Sequence, residues 1–158
     1  MNNGWRALAG LLIYLAAVAC AQAMTLKRVK AHAVEFAANA VALPAPDRQG
    51  IAQYANSLRE ADWCPLEVVL VLAHSPASSS ATEHAMAAAR ATYVANLLLL
   101  NEVPSEAVHA EAKQSPVQQP LVDIEALGAA WLHECPYPKN AYGFRVRAPA
   151  RSIERMPP

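Results

Sequence analysis

Residues Leu66-Glu-Val-Val-Leu-Val-Leu-Ala73 form a nearly continuous apolar run that ends on His74-Ser75-Pro76. A short run of this kind, rich in β-branched residues and closed by a proline, reads as a strand. Apolar side chains on both alternating faces predict a central strand covered on both sides. A Ser-rich loop follows. Ser80-Ala-Thr-Glu83 then fits a capping box, in which the serine and glutamate side chains satisfy each other's free backbone N–H groups at a helix start. The pattern predicts a helix from there to about Asn101. Asn101 is placed to end it in the left-handed conformation. Leu97 to Leu100 is apolar all round, which predicts a deeply packed helix end.

The flanking segments supply partners for that strand. Within residues 27–43, Val34 and Phe36 alternate with Glu35, a period-2 signal for a first strand. Pro44-Ala45-Pro46 ends it, and Asp47 is placed to cap a helix. In that helix Ile51, Tyr54, Ala55 and Leu58 fall at i, i+3, i+4 and i+7, one apolar stripe. Trp63-Cys64-Pro65 closes the unit. Val108 to Ala112 is a short third strand. Pro116 and Pro120 interrupt the chain, and residues 117–139 read as an insertion. In it Ile124, Leu127 and Trp131 take helical spacing and predict a short extra helix leading to Cys135. Tyr142, Phe144 and Val146 alternate with Gly143, Arg145 and Arg147 as a last strand. The tail 149–158, with Arg151, Arg155 and two closing prolines, is expected to be disordered.

The sequence holds 158 residues, enough for one domain with one core. Its formal net charge is zero, which gives no electrostatic reason for a nucleic-acid or acidic-lipid partner. Residues 1–23 read as a secretory signal. Arg6 precedes a 15-residue uncharged run, and Ala21-Gln22-Ala23 is a small-x-small cleavage site, so the mature chain would begin at Met24, with one domain over 24–148 ahead of the tail. Two alternatives stay open. The apolar run is a retained anchor, although a spanning helix needs about 20 residues. Or Leu15-Ala-Ala-Val-Ala-Cys20 is a lipobox, and Cys20 carries a lipid. Membrane attachment follows only from one of these. Lys27, Arg28 and Lys30 just beyond the run disfavour export. Cleavage removes Cys20 and leaves Cys64 and Cys135. In an oxidising compartment such a pair is most simply a disulfide, the alternative being two unrelated buried thiols.

Taken together, the strand ending in His74-Ser75-Pro76, the helix carrying Met86-x-x-x-Arg90-Ala91-x-x-Val94-x-x-x-Leu98, and the Val103-Pro104 ending resemble the OmpA-like, peptidoglycan-associating domain family. That family has Gly-His-Thr-Asp after its second strand, then Asn-x-x-Leu-Ser-x-x-Arg-Ala-x-x-Val-x-x-x-Leu and Gly-Val-Pro. The similarity runs over residues 34–116 and, more loosely, the last strand. It implies an α+β sandwich of order βαβαββ, with two main helices on one face of a mixed sheet. It also implies a binding site for diaminopimelate, a zwitterion of peptidoglycan stem peptides. An arginine fork suits the carboxylate, and a protein carboxylate suits the ammonium.

Arg90 stands at the family's ligand arginine. Pro76 stands at its aspartate, and proline carries neither charge nor N–H. Ala73 and Ala87 replace the usual glycine and serine, and the spacing from Pro76 to Arg90 is one residue short. Arg90, His74, Ser75 and Glu83 are therefore the candidate ligand residues. Each has a plainer role beside it: Arg90 as a solvated or salt-bridged helix arginine, His74 as a strand-end histidine bonded to backbone, and Glu83 as the partner of Ser80 in the capping box. Glu83 is also the alternative ammonium partner. Nothing points to catalysis or a cofactor. Ser78-Ser79-Ser80 has no paired base or nucleophile elbow. His32, His74, His84, His109 and His133 show no metal spacing. The expectation is a non-enzymatic, periplasmic envelope module, associated with the outer membrane, that binds peptidoglycan weakly or, with its ligand site lost, another envelope protein.

Overall fold

The computed structural model describes residues 26–116, 119–130 and 134–147. The signal-peptide and lipobox readings at 1–23 and the disordered-tail reading at 149–158 lie outside the described residues. Six elements follow in order: β1 (Leu26–Glu35), α1 (Ala45–Glu60), β2 (Leu66–Pro76), α2 (Ala81–Leu100), β3 (Val108–Ser115) and β4 (Leu121–Ala130). The strands form one mixed sheet in the order β1-β4-β2-β3. β4 runs antiparallel to both β1 and β2, and β3 runs parallel to β2. The parallel pair is joined through α2, as parallel neighbours require.

The core lies between the sheet and both helices. Val69, Val71 and Ala73 of β2, Val122, Ile124 and Ala126 of β4, and Val34 of β1 turn their side chains into it. Ile51, Tyr54, Ala55 and Leu58 of α1 meet them as the stripe predicted. α2 buries Ala87, Arg90, Ala91, Val94, Ala95 and Leu98, a helical face in which three of six positions are alanine. Each large aliphatic side chain in this set contributes roughly 1.5–3 kcal/mol by leaving water.

The capping box forms as expected. Ser80 accepts from the Glu83 N–H, and the Glu83 carboxylate accepts from the Ser80 N–H at 2.6 Å. Other expectations are corrected. Residues 121–130 are not a short extra helix within an insertion; they are β4, an inner strand of the sheet. Its Val122-Ile124-Ala126 alternation is the working period, and the Ile124/Leu127 spacing is incidental to it. Residues 142–146 are not a full last strand. They contribute isolated bridges, Leu66 to Val146 and Lys139 to Arg145, and bury Phe144. β2 is central but covered by helices on one face only. Val68, Leu70 and Leu72 are half-buried on the other. The end of α2 buries Leu98, while Leu99 and Leu100 are exposed, because only one helical face meets the sheet. The left-handed residue is Glu102, one beyond Asn101. Asp47 lies in the first turn of α1, whose N-cap is Pro44, without a side-chain capping bond.

Cys64 and Cys135 are joined by a disulfide with Cα atoms 5.7 Å apart. It fastens the segment after β4 to the entrance of β2. Among the described residues no helix is long and apolar enough to cross a membrane.

Candidate ligand-binding cleft

β2 ends where α2 begins, and the 36–44 loop after β1 folds across the gap. A cleft of about 270 Å³ opens there, lined by Ala38, Asn39, His74, Ser75, Pro76, Glu83, Met86, Arg90, Gln119 and Pro120. The four residues singled out from the sequence, together with Pro76, thus lie around one opening. They do not play equal parts in it.

Arg90 is 6% exposed. Its Nε donates to the Ala40 carbonyl at 2.8 Å. Its Nη2 donates to the carbonyls of Ala38 at 2.6 Å and Ala37 at 3.2 Å, and lies 3.3 Å from Met86 Sδ. The guanidinium also sits over the Phe36 ring, 5.5 Å from its centroid, within range of a cation–π attraction. Burial lowers the Arg90 pKa, yet an arginine remains charged at any working pH. The Nε/Nη2 edge of the fork is therefore occupied by backbone. Nη1 has no hydrogen-bond partner among the described residues, so the arginine offers an incoming anion one nitrogen rather than its two-pronged edge. This is neither a solvated nor a salt-bridged helix arginine: it is a clamp on the 37–40 loop.

His74 takes a role that the sequence did not suggest. Its Nε2 lies 2.7 Å from Asp123 Oδ2 on β4, and its Nδ1 lies 3.0 Å from Ser115 Oγ at the end of β3. Its partners are side chains on two neighbouring strands, not backbone. Ala73 and Ser75 face the helices, so the alternation of β2 sends the His74 ring to the helix-free face. The next residue, Ser75, is fully buried on the helix side, and its Oγ lies 3.2 Å from His84 Nδ1. That contact ties the strand end to the first turn of α2.

Glu83 is exposed, and its carboxylate accepts from both the N–H and the hydroxyl of Ser80. These two donors hold its pKa below the usual carboxylate range. Pro76 closes the strand end, its carbonyl accepting from the Ser79 N–H at 2.9 Å.

The sequence reading missed Asn39, Gln119 and Pro120 as lining residues. Asn39 and Ala38 sit in a loop without regular structure. Gln119 and Pro120 immediately precede β4, and the Pro120 carbonyl accepts from the Phe36 N–H at 2.9 Å, a contact that exists only because β4 pairs with β1. Met86 stood in the helix motif four residues before Arg90, the i, i+4 spacing that puts two side chains side by side.

The same architecture occurs in known structures. The cell wall anchor of the type VI secretion system from Pseudomonas aeruginosa superposes with a TM-score of 0.52 at 19% identity, over 73% of this chain and 94% of that one. The OmpA-like domain of FopA1 from Francisella tularensis gives a TM-score of 0.51 at 16% identity, over 66% and 77%. The chain has the OmpA-like fold. An outer membrane protein from Borrelia burgdorferi shares it too, with a TM-score of 0.50 at 15% identity, over 66% of this chain and 98% of that one. No family model and no curated protein matches the sequence. The likeness to OmpA-like domains is one of fold, at low sequence identity. In this chain the strand-end cleft is lined by Arg90 and by Pro76 at the foot of the loop.

Proposed function

We propose that this protein is an exported envelope module of the OmpA-like type that associates weakly with peptidoglycan through the cleft between β2, α2 and the 36–44 loop. One observation supports the reading above all: Arg90, His74, Ser75 and Glu83, from the end of β2 and the first half of α2, border a single opening in an OmpA-like fold, which Asn39 and Gln119 from distant segments help to line. A fold neighbour that is itself a cell wall anchor agrees with that partner. In this reading Arg90 Nη1 meets a stem-peptide carboxylate, and the N-terminal turn of α2 adds a favourable dipole. Residues 1–23 direct export to the periplasm, and outer-membrane association follows from the partner or from lipidation at Cys20. No group is assigned a catalytic role and no cofactor is invoked.

Weak affinity follows from Pro76 and from the arginine's prior commitments. A charged hydrogen bond contributes about 1.5–3 kcal/mol, so a missing carboxylate contact weakens binding by roughly one to two powers of ten. The alternative is a module for protein–protein contact in the envelope with the ligand site lost. The occupied Nε/Nη2 edge of Arg90 favours that alternative.

Titration of a diaminopimelate-containing stem peptide, alongside co-sedimentation with purified sacculi, separates the two. The expected results are measurable binding by wild type, weaker binding by Arg90→Lys, and tighter binding by Pro76→Asp. Equal binding by wild type and Arg90→Lys, together with no gain in Pro76→Asp, assigns the protein to the interaction class.

A further inference from the structure

The sheet face turned away from the helices is apolar at its centre and carries two acids without partners. Because Val122, Ile124 and Ala126 of β4 face the core, Glu125 and Leu127 project to the other side, beside Val68, Leu70 and Leu72 of β2 and Val29 of β1. Val29 is 64% exposed, and the β2 leucines are half-buried. Glu125 is half-buried too, flanked by Ala31 and Leu70. Glu111 projects from β3 beside Leu72. Asp123 is bound to His74 at 2.7 Å. Glu125 and Glu111 have no hydrogen bond or ion pair among the described residues, although Lys113 shares the face. A carboxylate partly withdrawn from water among aliphatic side chains is stabilised by a cation brought to it. By the ordinary strand spacings Glu125 and Glu111 lie about 12 Å apart, with Leu70 and Leu72 between them.

The chain itself carries such cations to this place. Val146 bridges to Leu66 in parallel, and the Arg145 carbonyl accepts from the Leu66 N–H at 2.8 Å. Past that point the same side of β2 is taken by Ala107, whose carbonyl accepts from the Val69 N–H at 2.7 Å, and then by β3. The chain therefore cannot continue beside β2 after Arg147, which shares a recess with Glu67 and Glu106. On the helix side Val103 and Pro104 are buried in the connection that leads to β3. The residues that follow are Ala148-Pro149-Ala150-Arg151-Ser152-Ile153-Glu154-Arg155-Met156. Four extended residues span roughly 13 Å, so Arg151 can reach from Arg147 to the level of Leu70, and with it Glu125. In an extended segment Arg151, Ile153 and Arg155 share one side, and the two arginines are again roughly 13 Å apart. We propose that residues 151–155 dock extended across the helix-free face, with Arg151 on Glu125, Ile153 over Leu70 and Leu72, and Arg155 on Glu111. The tail then covers the chain's own apolar face instead of running free as its composition predicts. This docking is independent of the peptidoglycan reading.

A nitroxide attached at Ser152→Cys in the native protein tests this by paramagnetic broadening of methyl resonances. The methyls of Leu70 and Leu72 are expected to lose most of their intensity, while those of Ile51 and Leu58 in the helix layer keep theirs. The double substitution Arg151→Glu/Arg155→Glu, which leaves every described residue unchanged, should abolish the difference, and high salt should weaken it. Adding Glu125→Lys/Glu111→Lys to the charge-reversed tail should restore it. Equal broadening with and without the tail charges, or none in either, overturns the proposal. Broadening that appears only when spin-labelled protein is mixed with isotope-labelled protein overturns it in favour of a second copy on this face. Failure of a folded charge-swapped protein to restore the difference overturns the pairing of these residues. The tail variants decide the matter by themselves if the Glu125→Lys/Glu111→Lys protein does not fold.

Discussion

Truncating Arg90 removes the donor to three backbone carbonyls, those of Ala37, Ala38 and Ala40. It also removes the cation over Phe36. Ala37 and Ala38 are exposed and Ala40 is half-buried, so water can replace the donor at these carbonyls, and Arg90→Ala is expected to lose about 1–2 kcal/mol in urea denaturation through the lost loop contacts. Arg90→Lys should recover only part of this, because an ammonium is a point donor that cannot serve separated carbonyls as a planar fork does. An Arg90→Ala variant as stable as wild type would show that the loop does not depend on the clamp. Glu83 allows a pH test. Its folded pKa is depressed by the Ser80 N–H and hydroxyl, so the unfolded chain takes up the proton first as pH falls. The stabilisation is fully present above the unfolded value, roughly 4.3, and is lost as pH falls through the folded value. Wild type should therefore exceed Glu83→Gln in stability at pH 6, and the gap should narrow as pH falls through the depressed folded value, as melting temperatures would show.

At the scale of elements, β4 decides the sheet, and Gly128 decides how β4 meets β2. A Cβ built at Gly128 would lie 2.5 Å from the Trp63 ring and 2.6 Å from the Pro65 carbonyl. The second contact is backbone and cannot swing aside. The register between β2 and β4 shifts at this point, between Leu66 and Val68. Gly128→Ala is thus expected to cost about 1–3 kcal/mol by overpacking and to alter Trp63 fluorescence. A variant matching wild type in both would mean that β4 can slide. At the other end of the sheet, Asp123, His74 and Ser115 link three strands side by side. Asp123→Ala leaves His74 Nε2 without this partner. A loss of about 1–2 kcal/mol is expected in urea denaturation.

For the molecule as a whole, the Cys64–Cys135 bond closes a long loop, with a sequence separation of 71. In the chain-entropy account such a crosslink contributes about 4 kcal/mol by restricting the unfolded chain. The double variant Cys64→Ser/Cys135→Ser should lower the denaturation midpoint accordingly, and non-reducing peptide mapping of the native protein should recover the linked pair. Two free thiols in that protein would refute the assignment. The bond also positions the chain's last described segment, where Phe144 fills the core at 2% exposure and Arg59 lies 5.7 Å over its ring. Asp62 pairs with Arg145 beside it. A loss of Phe144 burial on reduction is therefore the expected local consequence.

The first five elements in the order βαβαβ, both main helices, the capping box at Ser80 and the core stripe of α1 were all legible in the sequence. Each of these is specified by local chemistry, by caps, by prolines or by the period of a single element. The pairing of Cys64 with Cys135 was legible as well, through cysteine arithmetic rather than geometry. What the tertiary structure alone decided is of another kind. Leu121–Ala130 carries apolar residues at both strand and helix spacings, and only pairing with β1 and β2, distant in sequence, selects the strand. Arg90 reads locally as a helix arginine bound for solvent or ligand, and only the return of the 37–40 loop over α2 turns its fork inward. His74 could not announce Asp123 or Ser115, because its partners sit 49 and 41 residues away and reach it only through the sheet register. Local propensity fixes elements, whereas long-range register fixes which side chains meet, and the candidate cleft is made of such meetings.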